Sequence, residues 1–186
     1  MSTKKPMLLV IAGPNGSGKS TISQYFEKVG QYTNADDIVA STGMDIVDAA
    51  KLADRKRYDA ISNKQDLSFE TVLSSEYKLE ILRHAKQEGY FIKCIFILTV
   101  NPDINIARVK ARVAQGGHDV TREKITSRYA KSLANIKELL EICDIMHVYD
   151  NSVKPVRIIR KHKDDISIFP NDLWDIDMIK GLLEHD

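Results

Sequence analysis

An octapeptide near the start of the chain constrains the fold more than any other feature. Residues 13–20 read Gly-Pro-Asn-Gly-Ser-Gly-Lys-Ser and fit the pattern G-x-x-x-x-G-K-[ST] completely. Six apolar residues, Met7–Ala12, precede this segment and predict a buried strand. A helix is expected to begin at Gly18-Lys19-Ser20 and to run to about Val29. A strand, a glycine-rich loop and a helix in this order are typical of a phosphate-binding loop.

The residue types in this loop match the chemistry of a triphosphate. Glycines allow the backbone to curl until successive N–H groups point at phosphate oxygens, and the helix N-terminus adds partial positive charge. Lys19 is expected to reach the β- and γ-phosphates, and Ser20 is expected to offer its hydroxyl to Mg²⁺. The predicted nucleotide-binding residues are Gly13, Pro14, Asn15, Gly16, Ser17, Gly18, Lys19, Ser20 and Thr21.

The remaining sequence alternates strand-like and helix-like segments, which predicts an α/β fold. The predicted strands are Met7–Ala12, 32–34, Leu67–Thr71, 91–100 and 145–149. Helical patterns lie between them, and the tail predicts short strands followed by a helix near 174–183. No linker interrupts the pattern. We therefore expect a P-loop NTPase three-layer fold with a central, mostly parallel sheet and a small helical lid, forming one domain over residues 1–186.

Charge and hydropathy exclude several classes of partner. The 27 Lys and Arg residues nearly balance the 26 Asp and Glu residues, so neither nucleic acid nor a membrane is expected to bind. The longest apolar run has six residues, far fewer than a bilayer-spanning helix needs. The two cysteines, Cys94 and Cys143, show no metal-ligand spacing and are expected to be buried and reduced. These features favour a cytoplasmic protein.

A phosphate-binding loop does not by itself identify the reaction. The segment Asn63-Lys64-Gln65-Asp66 spells the N-K-x-D motif that reads guanine in GTPases, but it precedes a predicted strand instead of following one. We therefore interpret it as a helix end and a turn. No stretch resembles the signature of transporter ATPases, which argues against that class.

Two carboxylates follow predicted strands and are candidates for catalysis. Asp36 lies just beyond the second strand and Glu70 lies at the end of the third. Ligands of open parallel sheets bind at the carboxyl ends of the strands, so both are expected near the loop. Asp36 suits the base that takes a proton from an acceptor hydroxyl, and Glu70 suits a metal or acceptor contact. The alternative is that they cap helices, as we expect of Asp37.

Basic residues recur on two helices joined by Gly116-Gly117. Arg108 and Arg112 are four residues apart and share a helix face. On the next helix a polar stripe contains Arg128, Ser132 and Asn135. We interpret residues 102–141 as a lid whose arginines stabilise the transferring phosphate, the alternative being a solvated basic face.

Taken in order, these segments resemble the zeta-toxin-like P-loop kinases. The matching segments are 11–21, Asn34-Ala35-Asp36, Phe69-Glu70-Thr71, 107–109, Arg112-Val113, 116–120, Ile125, Arg128-Tyr129, Ser132 and Asn135. The resemblance implies a kinase that uses ATP and Mg²⁺, in the studied toxins to phosphorylate the 3′-hydroxyl of a UDP-activated amino sugar. It also implies an antitoxin-like protein partner.

The resemblance assigns roles to individual residues. It implies a catalytic base at Asp36, a metal or substrate contact at Glu70, and a phosphate clamp at Arg108. Arg112 or Arg128 takes the place of the second family arginine. The family's acid-Gly-Thr motif reads Glu70-Thr71-Val72 here, which leaves Thr71 as the candidate acceptor contact. Two alternatives remain open: a nucleotide-binding regulatory module controlled by a protein partner, and a nucleotide or polynucleotide kinase.

Overall fold

Seven strands form one sheet in the computed structural model, which describes residues 4–184. The spatial order is β2-β3-β1-β4-β5-β6-β7, and the first five strands run parallel. The last two pair antiparallel to their neighbours. The strands are β1 (Met7–Ala12), β2 (Gln31–Thr33), β3 (Leu67–Thr71), β4 (Phe91–Leu98), β5 (Ile145–Asp150), β6 (Val156–His162) and β7 (Asp165–Ile168). The predicted α/β fold with a mostly parallel sheet is confirmed.

Helices connect the parallel strands and cover the sheet. They are α1 (Lys19–Ser23), α2 (Ala35–Thr42), α3 (Ile46–Ser62), α4 (Glu76–Gln87), α5 (Pro102–Ala114), α6 (Arg122–Ala134), α7 (Ile136–Ile142) and α8 (Ile176–Gly181). None of those in the described part of the chain is long and apolar enough to cross a membrane.

The first helix is shorter than its sequence predicts. It ends at Ser23 instead of about Val29, so that prediction is wrong. The chain must turn back within a few residues, because the Gln31 amide donates to the Asp66 carbonyl at 3.0 Å where β2 joins β3. Phe26 and Val29 leave the helix and pack against the sheet instead.

Helix capping differs from the prediction at one position that concerns the site. Asn34, not Asp37, caps α2, and its side chain accepts a hydrogen bond from the Asp36 amide at 3.1 Å. Asp37 lies inside the first helical turn, where its charge faces the positive end of the helix dipole. The helix end and turn expected near Asn63 and Lys64 are confirmed.

Both faces of the central strands are buried, which explains the continuous apolar run in β1. On one face Leu8 and Val10 pack with residues of α4 and α7, including Leu79 and Leu139. On the other face the cover is thin and consists mainly of Ile22, Phe26 and Val29 over Leu9, Ile11, Ile95 and Ile97. Cys94 and Cys143 are buried free thiols, as expected.

A buried arginine attaches α3 to the strands that lead into the site. Arg57 is 3% exposed, and its guanidinium donates to Asp54 Oδ1 at 2.8 Å and to Thr33 Oγ1 at 3.0 Å. It also donates to the carbonyls of Thr33 and Glu70, each at 3.4 Å, and stacks on the Phe69 ring at 4.2 Å. One side chain therefore fixes α3 to the ends of β2 and β3.

A second cation shares the same carboxylate. Lys78 of α4 donates to both oxygens of Asp54, at 2.7 and 2.8 Å. Asp54 therefore joins α3 to α4 and forms ion pairs with two cations, which leaves one positive charge on the three groups together. Among the described residues, neither Arg57 nor Lys78 forms an ion pair with any other carboxylate.

We expect Asp54→Ala to lower the free energy of unfolding by about 3–5 kcal/mol, because it leaves Arg57 buried without its anionic partner. Urea denaturation measures the change. The matched control is Asp48→Ala on the same helix, which removes an exposed pair with Lys51 and should cost less than about 0.5 kcal/mol. Equal stability of the two variants would contradict the role given to Asp54.

Candidate active site

A large cavity opens at the carboxyl ends of the parallel strands. Its volume is about 980 Å³. Its walls come from the loop after β1, the first turn of α2, the end of β3, and one side each of α3, α4, α5 and α6. All of the candidate catalytic side chains line it, namely Lys19, Asp36, Arg108, Arg112 and Arg128. Glu70, Thr71 and Ser20 line it as well.

The phosphate-binding loop needs glycine at two positions because neighbouring backbone comes too close for a side chain. Gly13 has φ +141°, and a Cβ there would lie 1.9 Å from the Ile97 carbonyl oxygen. Gly16 has φ +76°, and a Cβ there would lie 2.5 Å from the Asn105 carbonyl oxygen. The loop is therefore wedged between β4 and α5, and its shape is imposed by the sheet around it.

Two asparagines that the sequence analysis missed hold this loop. Asn105 Nδ2 donates to the Asn15 carbonyl at 2.7 Å, and Asn151 Nδ2 donates to the Ser17 carbonyl at 2.8 Å. Asn105 is fully buried on the apolar side of α5. A polar residue among apolar positions of a helix could have indicated a specific hydrogen-bonding role. Asn151 directly follows β5 at the same rim of the sheet. Because ligands of open parallel sheets bind at the carboxyl ends of the strands, its position could have marked it as a site residue.

Lys19 lies along the loop that it belongs to. Its ammonium donates to the carbonyls of Gly13 and Pro14 at 2.8 and 3.0 Å. Burial lowers its pKa to about 8, although the negative charges of Glu70 and Asp36 act in the opposite direction. Arg112 lowers it further. The amine is thus close enough to all three side chains to sense their charges.

Glu70 bridges the loop and the neighbouring strand. Ser20 Oγ donates to its Oε2 at 3.3 Å, and the Tyr32 hydroxyl donates to its Oε1 at 3.0 Å. A hydroxyl and a carboxylate are hard oxygen donors of the kind that Mg²⁺ binds beside phosphate. Ser20 and Glu70 both line the cavity, so this donor set fits a metal ion bound beside a triphosphate.

Asp36 and Thr71 differ in solvent exposure and in hydrogen bonding. Asp36 is exposed in the first turn of α2 and lines the cavity. Thr71 is 9% exposed, and its hydroxyl accepts a hydrogen bond from the Leu73 amide at 3.1 Å. The Thr71 oxygen is therefore engaged in a local turn.

The three candidate arginines have different partners. Arg108 donates to the Ser152 carbonyl at 3.0 Å, while its Nη1 is buried without a partner among the described residues. Arg112 donates to the His118 carbonyl at 2.9 Å. Arg128 donates to Asn15 Oδ1 at 3.3 Å and so touches the phosphate-binding loop directly.

The polar stripe of α6 is mainly structural beyond Arg128. Ser132 donates to the Val72 carbonyl at 2.8 Å, and Asn135 donates to the Leu73 carbonyl at 2.9 Å. Both side chains hold the segment that follows β3. They therefore fix α6 to the same strand end that carries Glu70.

The cavity is much more basic than the chain as a whole. Eight Lys and Arg residues line it against three carboxylates, whereas the chain carries a net charge of +1. Arg57 of α3 and Lys78 of α4 contribute to this excess, and the sequence analysis missed both. Such a concentration of positive charge favours polyanionic ligands.

Comparison with known proteins identifies the family. The sequence profile of the zeta toxin family matches residues 46–173. The chain belongs to the zeta toxin family. An uncharacterized protein of Haemophilus influenzae (strain ATCC 51907 / DSM 11121 / KW20 / Rd) is 29% identical over 123 residues, which are 63% of this chain and 88% of that protein.

Several solved structures share the fold of this chain. A chain of the AvrRxo1-ORF1:ORF2 complex with ATP superposes with a TM-score of 0.71 at 16% identity, and a chain of the PezAT toxin–antitoxin system of Streptococcus pneumoniae with 0.59 at 18%. A chain of the Pnkp1/Rnl/Hen1 RNA repair complex superposes with 0.59 at 20%. The match covers 88%, 84% and 92% of this chain, respectively. It covers 60%, 72% and 53% of those chains.

These comparisons confirm the family and the P-loop kinase fold that the ordered motifs predicted. This zeta toxin family member spans less than two thirds of the length of the AvrRxo1 chain that it matches. The phosphate-binding loop lies outside the matched residues 46–173, so its assignment depends on the strand–loop–helix geometry described above. Family and fold together support a nucleotide-dependent, kinase-type function.

We expect nucleotide affinity to fall as the pH rises above about 8, because a triphosphate binds the protonated form of Lys19. In the nucleotide-free protein about half of the Lys19 side chains are neutral at that pH. Well below pH 8 Lys19 is charged, so its contribution to the affinity should not change with pH. Isothermal titration calorimetry of an ATP analogue in buffers of different ionisation enthalpy measures the proton uptake. Lys19→Arg is the control, since a guanidinium stays charged and should bind without uptake. Identical pH profiles of the two proteins would contradict this assignment.

Proposed function

We propose that this zeta toxin family member is an ATP- and Mg²⁺-dependent kinase. It transfers the γ-phosphoryl group to a hydroxyl of a small metabolite, with a UDP-activated amino sugar as the leading candidate. The observation that carries the proposal is that Asp36 and Glu70 share one cavity with Lys19 and Ser20. A base, a metal-binding carboxylate and a triphosphate cradle on one rim are the parts that phosphoryl transfer requires.

The donor side of the cavity is built by the phosphate-binding loop. Its backbone N–H groups and the Lys19 ammonium hold the triphosphate, and Lys19 exchanges the Gly13 and Pro14 carbonyls for phosphate oxygens. Ser20 and Glu70 would hold Mg²⁺. When bound, the ion neutralises negative charge on the phosphates.

The acceptor side is served by Asp36. In the proposed step its carboxylate takes the proton from the acceptor hydroxyl while that oxygen bonds to the γ-phosphorus. The bond from the γ-phosphorus to the β,γ-bridging oxygen breaks, and ADP leaves with the electron pair. Because Asp36 is exposed, its side chain is free to approach a hydroxyl that enters the cavity from solvent. Glu70 and Thr71 are the proposed contacts that orient the acceptor.

The arginines of the proposed lid, residues 102–141, are assigned to two different parts of the phosphate donor. Arg112 affects the charge state of Lys19 and Arg128 contacts Asn15, so we assign these two to the transferring phosphate. Arg108 is tied to the loop after β5 and offers one buried, unpartnered N–H donor to the nucleotide. Charge developing on the equatorial oxygens is thereby met by fixed donors.

The acceptor itself is proposed to carry phosphate. Lys78, which is 22% exposed, and Arg57 bring positive charge to the part of the cavity wall formed by α3 and α4. The same wall contains the apolar residues Ile46, Ala50 and Ala53. A phosphate-bearing molecule with an apolar face, such as a nucleotide sugar, matches this combination.

An antitoxin-like protein partner is part of the proposal. The structural neighbours AvrRxo1-ORF1:ORF2 and PezAT are described as a complex and as a toxin–antitoxin system. The neighbour from an RNA repair complex keeps a nucleotide or polynucleotide acceptor as the second candidate. A regulatory nucleotide-binding module is the third, and it would bind ATP without turnover.

Acceptor screening with labelled ATP separates these candidates. UDP-amino sugars, nucleosides, nucleotides and oligonucleotide ends are tested side by side, with a metabolite extract as the broad arm. Stimulated ADP release with label on a sugar supports the proposal, and label on a polynucleotide end supports the second candidate. Tight ATP binding without turnover in any arm supports the regulatory module and contradicts the kinase proposal.

We expect Asp36→Asn to lower kcat for acceptor phosphorylation by about 10²- to 10⁴-fold, because an amide does not accept the proton. ATP affinity should stay within about twofold, since the triphosphate cradle is intact. The matched control is Asp37→Asn, which changes the adjacent carboxylate that does not line the cavity. Unchanged turnover in Asp36→Asn would remove this residue from the mechanism.

Arg112→Ala should lower kcat by about 10²- to 10³-fold with a smaller effect on ATP affinity, because its donors act on charge that develops during transfer. Steady-state kinetics at saturating ATP measures the effect. Lys110→Ala is the control, as Lys110 is exposed on the same helix and does not line the cavity. A loss confined to KM would assign Arg112 to ground-state binding instead.

A further inference from the structure

A line of side-chain hydrogen bonds runs from the loop hydroxyl Ser20 to the helix that carries Asp36. Ser20 Oγ donates to Glu70 Oε2 at 3.3 Å, and the Tyr32 hydroxyl donates to Glu70 Oε1 at 3.0 Å. The two carboxylate oxygens therefore have different partners on opposite sides. A carboxylate held from both sides loses the freedom to rotate about its terminal bond.

The Tyr32 side chain is itself held in place. Asn34 Nδ2 donates to its hydroxyl oxygen at 3.5 Å, and the Lys28 ammonium lies 3.6 Å from the centre of its ring. The ring and the hydroxyl oxygen are both contacted, and the hydroxyl donates its hydrogen to Glu70 Oε1.

Asn34 connects this tyrosine to the candidate base. Its Oδ1 accepts a hydrogen bond from the backbone amide of Asp36 at 3.1 Å, while its Nδ2 contacts Tyr32. One amide side chain thus touches both the group that orients Glu70 and the first turn of α2. Two side chains, Tyr32 and Asn34, therefore connect the Glu70 carboxylate to the backbone of Asp36.

We propose that Tyr32 is a positioning residue that orients the Glu70 carboxylate toward an ion bound beside Ser20. Through Asn34 it also links that carboxylate to the first turn of α2. The inference rests on the proposed function, because it assumes that this rim binds a metal–triphosphate complex. Tyr32 touches neither the nucleotide nor the acceptor in this arrangement and acts through Glu70. Outer partners that orient a metal-binding carboxylate contribute substantially to the affinity of the ion.

A purely structural role for Tyr32 makes a different prediction. In that case the ring matters and the hydroxyl does not, so phenylalanine would replace it without consequence. Tyr32→Phe keeps the ring and its contact with Lys28 but removes the bond to Glu70. The matched control is Tyr25→Phe, which removes a hydroxyl from a tyrosine that is 76% exposed.

The decisive measurement is the Mg²⁺ dependence of ATP binding, followed with a fluorescent ATP analogue across a range of free Mg²⁺. We expect Tyr32→Phe to raise the Mg²⁺ concentration at half-effect by about 10-fold. The affinity without Mg²⁺ should stay near that of the wild type, and by linkage the affinity at saturating Mg²⁺ should fall by the same factor. Tyr25→Phe should match the wild type throughout. The proposal is overturned if Tyr32→Phe and the wild type have the same Mg²⁺ midpoint. It is also overturned if ATP binding to the wild type does not depend on Mg²⁺.

A double-mutant cycle tests whether Tyr32 acts through Glu70. Glu70→Gln should shift the Mg²⁺ midpoint by itself, and adding Tyr32→Phe should shift it no further. Additive shifts would show that the tyrosine acts by another route. Thermal unfolding of each variant checks that the fold is retained.

This assay needs no acceptor, so its outcome is separate from that of the kinase proposal. If no acceptor is ever phosphorylated while Tyr32→Phe still moves the Mg²⁺ midpoint, the proposed function fails and the role of Tyr32 stands. If the wild type phosphorylates an acceptor while the midpoint is unmoved, the reverse holds.

Discussion

The close approach of backbone to backbone at the phosphate-binding loop is the constraint on which the rest of the structure depends. Gly13 passes under the Ile97 carbonyl of β4, and Gly16 passes beside Asn105 of α5. Only a loop without side chains at these points fits between strand and helix, and only that path turns its amides toward the cavity. The positions of Lys19 and Ser20, and through Ser20 the contact with Glu70, follow from this path.

Electrostatics gives the cavity its character. The chain is almost neutral overall, yet eight of its cations line one cavity together with the candidate base Asp36 and the candidate metal ligand Glu70. The side chains of Arg57 and Lys78 are both held by Asp54. A polyanion entering the cavity therefore meets a preorganised set of donors that needs little rearrangement.

Sequence patterns predicted the parts of this arrangement that depend on local or topological rules. The strand–loop–helix unit, β3, and the positions of Asp36 and Glu70 at the rim follow from hydrophobic runs and from the strand-end rule. The length of α1 and the capping role of Asn34 were not predicted correctly, because both are set by how β2 must join β3. The contacts of Asn105 and Tyr32 depend on packing between distant segments, which no local pattern encodes.

The two asparagine braces of the loop also bear on how the protein matures. Asn105 and Asn151 lie 90 and 134 residues after the atoms that they hold, so both are synthesised after the loop. A nascent chain that has not yet placed β5 in the sheet lacks the Asn151 brace, because Asn151 directly follows that strand. The loop therefore gains its full support only when the last of the five parallel strands has joined the sheet.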